Sequence, residues 1–407
     1  MNCLKFIHTA DLHLDSPFVG LQQLPGRLFK RIQESTFAAF TKIVDLAIEE
    51  QVDFIIISGD LYDSEDRGLK AQTRFRKEMS RLNEHRIEVY IIHGNHDHTG
   101  GRWVHLSYPS NVHFFSDKVV EVKSFEKNEK KRANLYGISY QQRVITENIT
   151  PFYIKEGDAP FHIGILHGTL EGQTDHSRYA PFKRADLLQK EFDYWALGHI
   201  HKRQVLHESP AIVYPGNIQG RHRKETDTKG CYVVTLTENR TELSFRSTAD
   251  IIWDEVQISI TDLASVQQLL DVCYEKIDQM RQEQQGVLTT IELVGSSSLH
   301  KELQDQTKIE DIIHTLVDGE ELKDNFVWVV ALNVRTSHFI DREQLKEDSS
   351  FLRDLLATVD DFQQWDDVLS PLFSHSQARN YLRNFSIEEK NDILSQAENF
   401  LMQELLK

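Results

Sequence analysis

Residues 88–98 read EVYIIHGNHDH: the apolar run Val89 to Ile92, then at once His93, Gly94, Asn95, His96, Asp97 and His98. An apolar run of this length, rich in β-branched residues, reads as a strand buried on both faces. The polar cluster then falls at its C-terminal end. Four more runs repeat the theme: CLKFIHTA leads to Asp11 and His13, VDFIIISG to Asp60, FHIGIL to His167, and YWALG to His199 and His201. Between the first three lie helical patterns, Leu28 to Ala47 and Phe75 to Leu82. Strand, helix, strand in succession implies right-handed βαβ units and a largely parallel sheet. Ligand sites gather at the C-terminal edge of such a sheet, so the five clusters are expected to converge.

Taken singly, a histidine after a strand is usually a satisfied structural group, and a Gly-Asp pair is usually a turn. Taken together, Asp11, His13, Asp60, Asn95, His167, His199 and His201 offer two carboxylates, four imidazoles and one amide oxygen. That donor set exceeds what one tetrahedral ion takes and suffices for two divalent ions bridged by one carboxylate, for which Asp60 is placed. Imidazole beside carboxylate favours manganese, iron or zinc over an all-oxygen cage, with manganese the expected metal. Within the opening stretch, Gly94 is expected to turn the chain tightly off the strand. Asn95 offers an oxygen to an ion. His96 sits beside the metals as a proton donor, with Asp97 orienting its imidazole. His93 and His98 read as structural or solvent-facing.

The chain of 407 residues is long enough for two or three domains. Residues 1–250 hold 33 acidic and 33 basic residues, so residues 251–407, with 30 and 13, carry the whole net charge of −17. That asymmetry marks a domain boundary. From residue 110 to 250, VHFFSDKVVEV, NLYGISY, QVLHESPAIVYPG and KGCYVVTLTENRTELSFRS read as strands and hairpins. The expected architecture is α/β, two packed sheets with outer helices (α/β/β/α) over residues 1–250. A small α+β capping domain follows at 251–338, and a helical, acidic C-terminal region at 339–407. No apolar run approaches the ~20 residues of a membrane span, and MNCLKFIHTADLHLD is too polar for a signal peptide. Cys3, Cys231 and Cys273 show no paired spacing, which suits a reducing, cytoplasmic setting.

The series D-x-H, GDLYD, GNHD, LHG and GHIH, in that order, resembles the calcineurin-like metallophosphoesterase superfamily. Within it, the chain looks like the SbcD-type DNA-repair nuclease branch, whose members pair with an SMC-like ATPase. The resemblance implies Asp11, His13, Asp60 and His201 at one ion, and Asp60, Asn95, His167 and His199 at the other. His96 takes the acid role. Asp63 stands where other branches carry a histidine near the substrate phosphate. The stretch YPGNIQGRHRKETDTKG resembles the closure of the core toward its cap, where Arg221, Arg223 and Lys224, with Lys202 and Arg203, would contact DNA phosphates. The implied activity is two-metal-activated hydroxide attack on the phosphodiesters of DNA, as exonuclease, endonuclease or both. The implied assembly is a homodimer whose C-terminal helices dock on the ATPase. A phosphatase or small-molecule phosphodiesterase would use the same metals, and a non-catalytic scaffold would show a decayed ligand.

Overall fold

The computed structural model describes residues 2–64, 67–101, 103–172, 179–338, 342–375 and 385–405. Parts of the expected C-terminal region, residues 339–341, 376–384 and 406–407, lie outside the described residues. The chain divides into two compact units: Met1–Asp254 with Arg281–Leu288 and Gly319–Trp328, and Glu255–Met280 with Thr289–Asp318 and Val329–Lys407.

In the first unit the order is β1 (Cys3–Thr9), α1 (Gly26–Glu49), β2 (Phe54–Ser58), α2 (Leu69–Glu84), β3 (Glu88–Ile92), β4 (Val112–Phe114), β5 (Glu121–Lys127) and β6 (Lys130–Gly137). It continues with β7 (Phe161–His167), α3 (Arg184–Leu188), β8 (Tyr194–Gly198), β9 (Gln204–Glu208), β10 (Ala211–Tyr214), β11 (Gly230–Thr237) and β12 (Thr241–Ser247). Two six-stranded sheets result, β12-β11-β1-β2-β3-β4 and β5-β6-β7-β8-β10-β9. The run β1-β2-β3-β4 is parallel, and β11 returns antiparallel against β1, with Phe6 opposite Val234. In the second sheet β6, β7, β8 and β10 are parallel, with β5 and β9 antiparallel at the edges.

Alternation along each strand builds the layers. Phe6, Phe54, Ile56 and Tyr90 face inward against Leu135, Ile163, Ile165 and Tyr194 of the second sheet. Ile7, Ile55, Ile57 and Ile91 face outward under Phe40, Ile43, Phe75 and Met79 of α1 and α2. On the far side Trp195, Leu197 and Tyr214 pack with Tyr153, Phe182 and Leu187. The expected α/β/β/α sandwich is therefore observed. One detail differs: VHFFSDKVVEV supplies β4 to the first sheet and β5 to the second, because Ser116 and Asp117 lead the chain from one layer to the other.

The later elements are β13 (Ile251–Ser259), α4 (Val266–Met280), β14 (Gly286–Ser297), α5 (His300–Leu303), α6 (Gln306–Val317) and β15 (Val327–His338). Their strands form a third sheet in the order β13-β14-β15. Helices α7 (Arg342–Asp348), α8 (Ser350–Asp360), α9 (Trp365–Ser374) and α10 (Ile387–Leu405) complete the chain. Among the described residues no helix is long and apolar enough to cross a membrane. The three cysteines are free thiols.

Candidate metal centre

The ends of β1, β2 and β3 from one sheet meet those of β7 and β8 from the other, and the post-strand loops are laced together. Asp11 N–H donates to the Gly59 carbonyl (3.1 Å) and His13 N–H to the Asp60 carbonyl (3.0 Å). His199 N–H reaches both Asp11 carboxylate oxygens at 3.1 Å. Four of the seven expected donors have left-handed backbone: Asp11 (φ 50°), His13 (φ 42°), Asp60 (φ 51°) and His199 (φ 97°). Each such residue costs about 1–3 kcal/mol, which the surrounding packing must offset. Gly94 serves differently from the expected turn: a Cβ there would overlap Asp60 Oδ1 and lie 2.8 Å from His167 Cε1. It is close approach of the loop to the acidic centre that requires glycine.

The structure brings all seven expected donors together. Three groups place ligand atoms within 4.8 Å of one another: Asp11, His13 and His201; His13, Asp60 and His96; and Asp60, His167 and His199. Asp11, His13, Asp60 and His167 are at most 1% exposed. Burial, then the neighbouring Asp60 charge, pushes the Asp11 carboxyl well above its usual range. Burial, then the Arg221 charge, pushes the His13 imidazole well below its usual value.

Hydrogen bonding tests whether cations fit. The Nδ1–H of His167 donates to the Ser58 carbonyl (2.9 Å), so the neutral ring presents an Nε2 lone pair. That lone pair faces Asn95 Oδ1 at 2.9 Å and Asp60 Oδ2 at 3.5 Å. The Nδ1–H of His201 likewise donates to Glu225 (2.7 Å), and its Nε2 faces His13 Nε2 at 3.1 Å. His167 Nε2 and Asn95 Oδ1 are acceptors turned toward each other in a buried site, which a cation between them would satisfy, and the clustered carboxylates and imidazoles supply further donors around it. The residues present therefore fit two divalent ions.

Other expected roles change. Asp97 does not orient His96: its carboxylate accepts from His93 Nδ1 (3.0 Å), Gly94 N–H (2.8 Å) and Leu61 N–H (3.1 Å). Consecutive residues on this loop point apart, so adjacency in sequence misled. Burial raises the Asp97 carboxyl, but the His93 charge and these bonds outweigh it and hold it at about 2. His93 is accordingly a buried partner of Asp97, and His98 is also buried. His96 Nδ1–H instead donates to the Asp63 carbonyl (2.9 Å), and its N–H to Asp60 Oδ1 (2.9 Å). The Asp63 carboxylate is ion-paired with Arg221. One of its oxygens also approaches His13 Nδ1 at 3.1 Å, but without hydrogen-bond alignment, since that nitrogen has no aligned partner. It is a close approach without a hydrogen bond.

A cavity of about 610 Å³ opens over the cluster, lined by Asp60, Asn95, His96, His199, Lys202 and Lys224 among others. Of the five basic residues expected at phosphates, Lys202 and Lys224 line it. Arg203 instead lies over the Phe245 ring (3.9 Å), Arg221 is held by Asp63, and Arg223 is exposed away from the lining. Tyr179, Lys229 and Glu225 are among the lining residues that the sequence does not single out. The Tyr179 ring lies tilted against His199 (ring centroids 4.7 Å apart). Lys229 is buried and donates to the His201 carbonyl (3.0 Å). Glu225 is buried; burial raises its carboxyl, but the hydrogen bond from His201, the His201 charge and the Arg221 N–H and charge together hold it well below the usual carboxylate range. Nothing in the run RHRKETD marks Glu225 as different from surface charge.

Residues 4–203 match the family described as calcineurin-like phosphoesterase, and residues 253–337 match the middle domain of the metallophosphoesterase YhaO. The chain is 41% identical over 403 residues to the metallophosphoesterase YhaO of Bacillus subtilis, covering 99% of this chain and 98% of that one. The chain belongs to the calcineurin-like metallophosphoesterases. This phosphoesterase is also similar to proteins named DNA double-strand break repair protein Mre11. In Sulfolobus acidocaldarius the identity is 22% over 367 residues, 87% of this chain and 89% of the relative. In Thermoplasma acidophilum it is 24% over 336 residues, 74% and 81%. The family implies a metal-dependent hydrolase, and the D-x-H, GD, GNH, LH and GHIH positions of this phosphoesterase are the residues its fold gathers.

Proposed function

We propose that this phosphoesterase hydrolyses DNA phosphodiesters with two manganese ions, as exonuclease, endonuclease or both, in DNA repair. The observation that carries the metal part is the clustering of the Asp11, His13, Asp60, His167, His199 and His201 ligand atoms, with the His167 Nε2 lone pair turned toward Asn95 Oδ1. The DNA part rests on the resemblance and on the relatives' names. Asp11, His13, Asp60 and His201 would hold one ion, and Asp60, Asn95, His167 and His199 the other. Bound there, divalent ions supply an activated water and neutralise phosphate charge.

The chain's own residues do the rest. His96, its Nδ1–H committed to the Asp63 carbonyl, has Nε2 as the nitrogen that passes a proton to the leaving oxygen. Lys202 and Lys224 line the cavity where flanking phosphates would lie. Asp97 holds the loop that carries Asn95 and His96, a positioning role. The resemblance supports three further parts of the proposal: self-association of the phosphoesterase unit, docking of the C-terminal helices on an SMC-like ATPase, and a cytoplasmic setting.

The test is cleavage of an end-labelled DNA duplex and its single strand, with manganese and with magnesium, by wild type, Asp60→Asn and His96→Ala. Manganese-dependent shortening lost in both variants is expected. Intact DNA with hydrolysis of bis-p-nitrophenyl phosphate, even when the ATPase is supplied, would move the substrate to small phosphodiesters.

A further inference from the structure

We propose that Glu225 is a positioning residue for the ion site at His13 and His201, fixing the His201 imidazole from outside the donor set. The proposal rests on the reading that divalent ions occupy that site. Glu225 is 8% exposed and lies 24 residues beyond the histidine it holds. Its Oε1 accepts from His201 Nδ1 at 2.7 Å, which sets both the ring's orientation and the nitrogen that is left bare. Its Oε2 accepts from Arg221 N–H (2.7 Å) and Asn217 Nδ2 (3.0 Å). His222 Nε2 stands 3.4 Å from Oε1.

Every one of these partners is a donor, so the position calls for a carboxylate with two acceptor oxygens. A glutamine would turn an NH₂ toward at least one of them. The same short stretch reaches the other half of the pair, since the Arg221 guanidinium holds Asp63, whose carboxylate approaches His13. Residues 217–225 thus brace His201 directly and His13 at one remove. The second ion site has its own support: His167 is fixed by the Ser58 carbonyl, without Glu225. Loss of Glu225 should therefore weaken one ion and spare the other.

The rival explanation is that Glu225 merely anchors the loop. Asn217 separates the two, because its side chain donates to Glu225 Oε2 and to the Gln219 carbonyl, while its bond to the His201 carbonyl (3.4 Å) comes from the backbone N–H, which Asn217→Ala keeps. The experiment is calorimetric titration of manganese into the full-length metal-free wild type, Glu225→Gln and Asn217→Ala, with thermal melts of each. The wild type should take up two ions. Glu225→Gln should weaken one step by about 10–100-fold and leave the other within about threefold. Asn217→Ala should leave both within about threefold of wild type.

Unchanged binding in Glu225→Gln, equal weakening of both steps, or the same one-step loss in Asn217→Ala would overturn the proposal. If Glu225→Gln does not fold, Glu225→Asp, which keeps the charge but withdraws the oxygen from His201, is read by the same criteria. DNA cleavage is not a readout here. A protein that binds two ions and leaves DNA intact refutes the nuclease reading while Glu225 stands, whereas a wild type that takes up no manganese refutes both.

Discussion

The Nε2 atoms of His13 and His201 stand 3.1 Å apart in a site where the second ring's proton is committed to Glu225. The bare Nε2 of His201 lies with Asp11 and His13 in a cluster whose ligand atoms stand within 4.8 Å of one another and which a cation would join, so metal binding should stabilise the fold. At manganese a hundredfold above its dissociation constant, ligand linkage supplies about 2.7 kcal/mol per site. Wild type should melt higher with manganese than after chelation, and His13→Ala should show a smaller rise. Equal melting of wild type with and without metal would contradict the fit.

Gly94 and Asp60 give a sharper steric test. A methyl at Gly94 would overlap the Asp60 carboxylate and approach its backbone nitrogen to 2.7 Å. Overpacking of this kind costs about 1–3 kcal/mol. Displacement of the central carboxylate by even an ångström should cut manganese-dependent hydrolysis of bis-p-nitrophenyl phosphate about a hundredfold. Urea unfolding and the hydrolysis assay check both; wild-type turnover in Gly94→Ala would show that the loop has room.

Beneath the centre, His8 makes the fold sensitive to acid. Its ring lies near Tyr194 OH (2.9 Å), Leu197 O (3.2 Å) and Ser58 Oγ (3.2 Å), and burial lowers it from 6.5 to about 3. Below pH 6.5 the unfolded chain takes up this proton first. Stability is thus fully present above 6.5 and declines by about 1.4 kcal/mol per pH unit as pH falls toward 3. His13 and His201, also lowered, add in the same direction. Urea unfolding of the metal-free protein at pH 7.5 and 5.5 should show a shallower loss in His8→Gln; parallel losses would remove His8 from the account.

The layers and most of the donors were legible because both follow from local pattern. Phe54 to Ile57 is apolar on alternate faces whatever it packs against, and a donor at a parallel strand's C-terminal end has few places to go. What stayed hidden depends on residues distant in sequence. Cys3 pairs with Thr237 across the first sheet, and nothing near either residue announces that. Glu225 sits in a run that reads as solvated charge, yet folding buries it against His201. Arg203 had the right charge and position in sequence, but its side chain follows the sheet to Phe245 instead of the cavity.

Asp97 and His96 are neighbours in sequence with separable duties, and paired substitutions should divide them. The Asp97 carboxylate satisfies three donors inside the protein, at His93, Gly94 and Leu61. Asp97→Asn turns one acceptor into a donor facing another donor, a buried mismatch worth about 1–3 kcal/mol. Its loss should appear first as lower stability. Because the Asp97 carboxyl is held at about 2, below its ordinary 3.8, that stabilisation is complete above pH 3.8 and is lost as pH falls through 2. His96 is only partly buried, and its anchors are the Asp63 carbonyl and the Asp60 carboxylate. His96→Ala should keep its fold and both manganese ions while turnover falls about 10²–10⁴-fold, the range for loss of a general acid. Unfolding curves, manganese titration and hydrolysis of bis-p-nitrophenyl phosphate on the two variants make the comparison. Lost metal in His96→Ala would make His96 a ligand in place of an acid, and unchanged stability in Asp97→Asn would mean that the loop is held elsewhere.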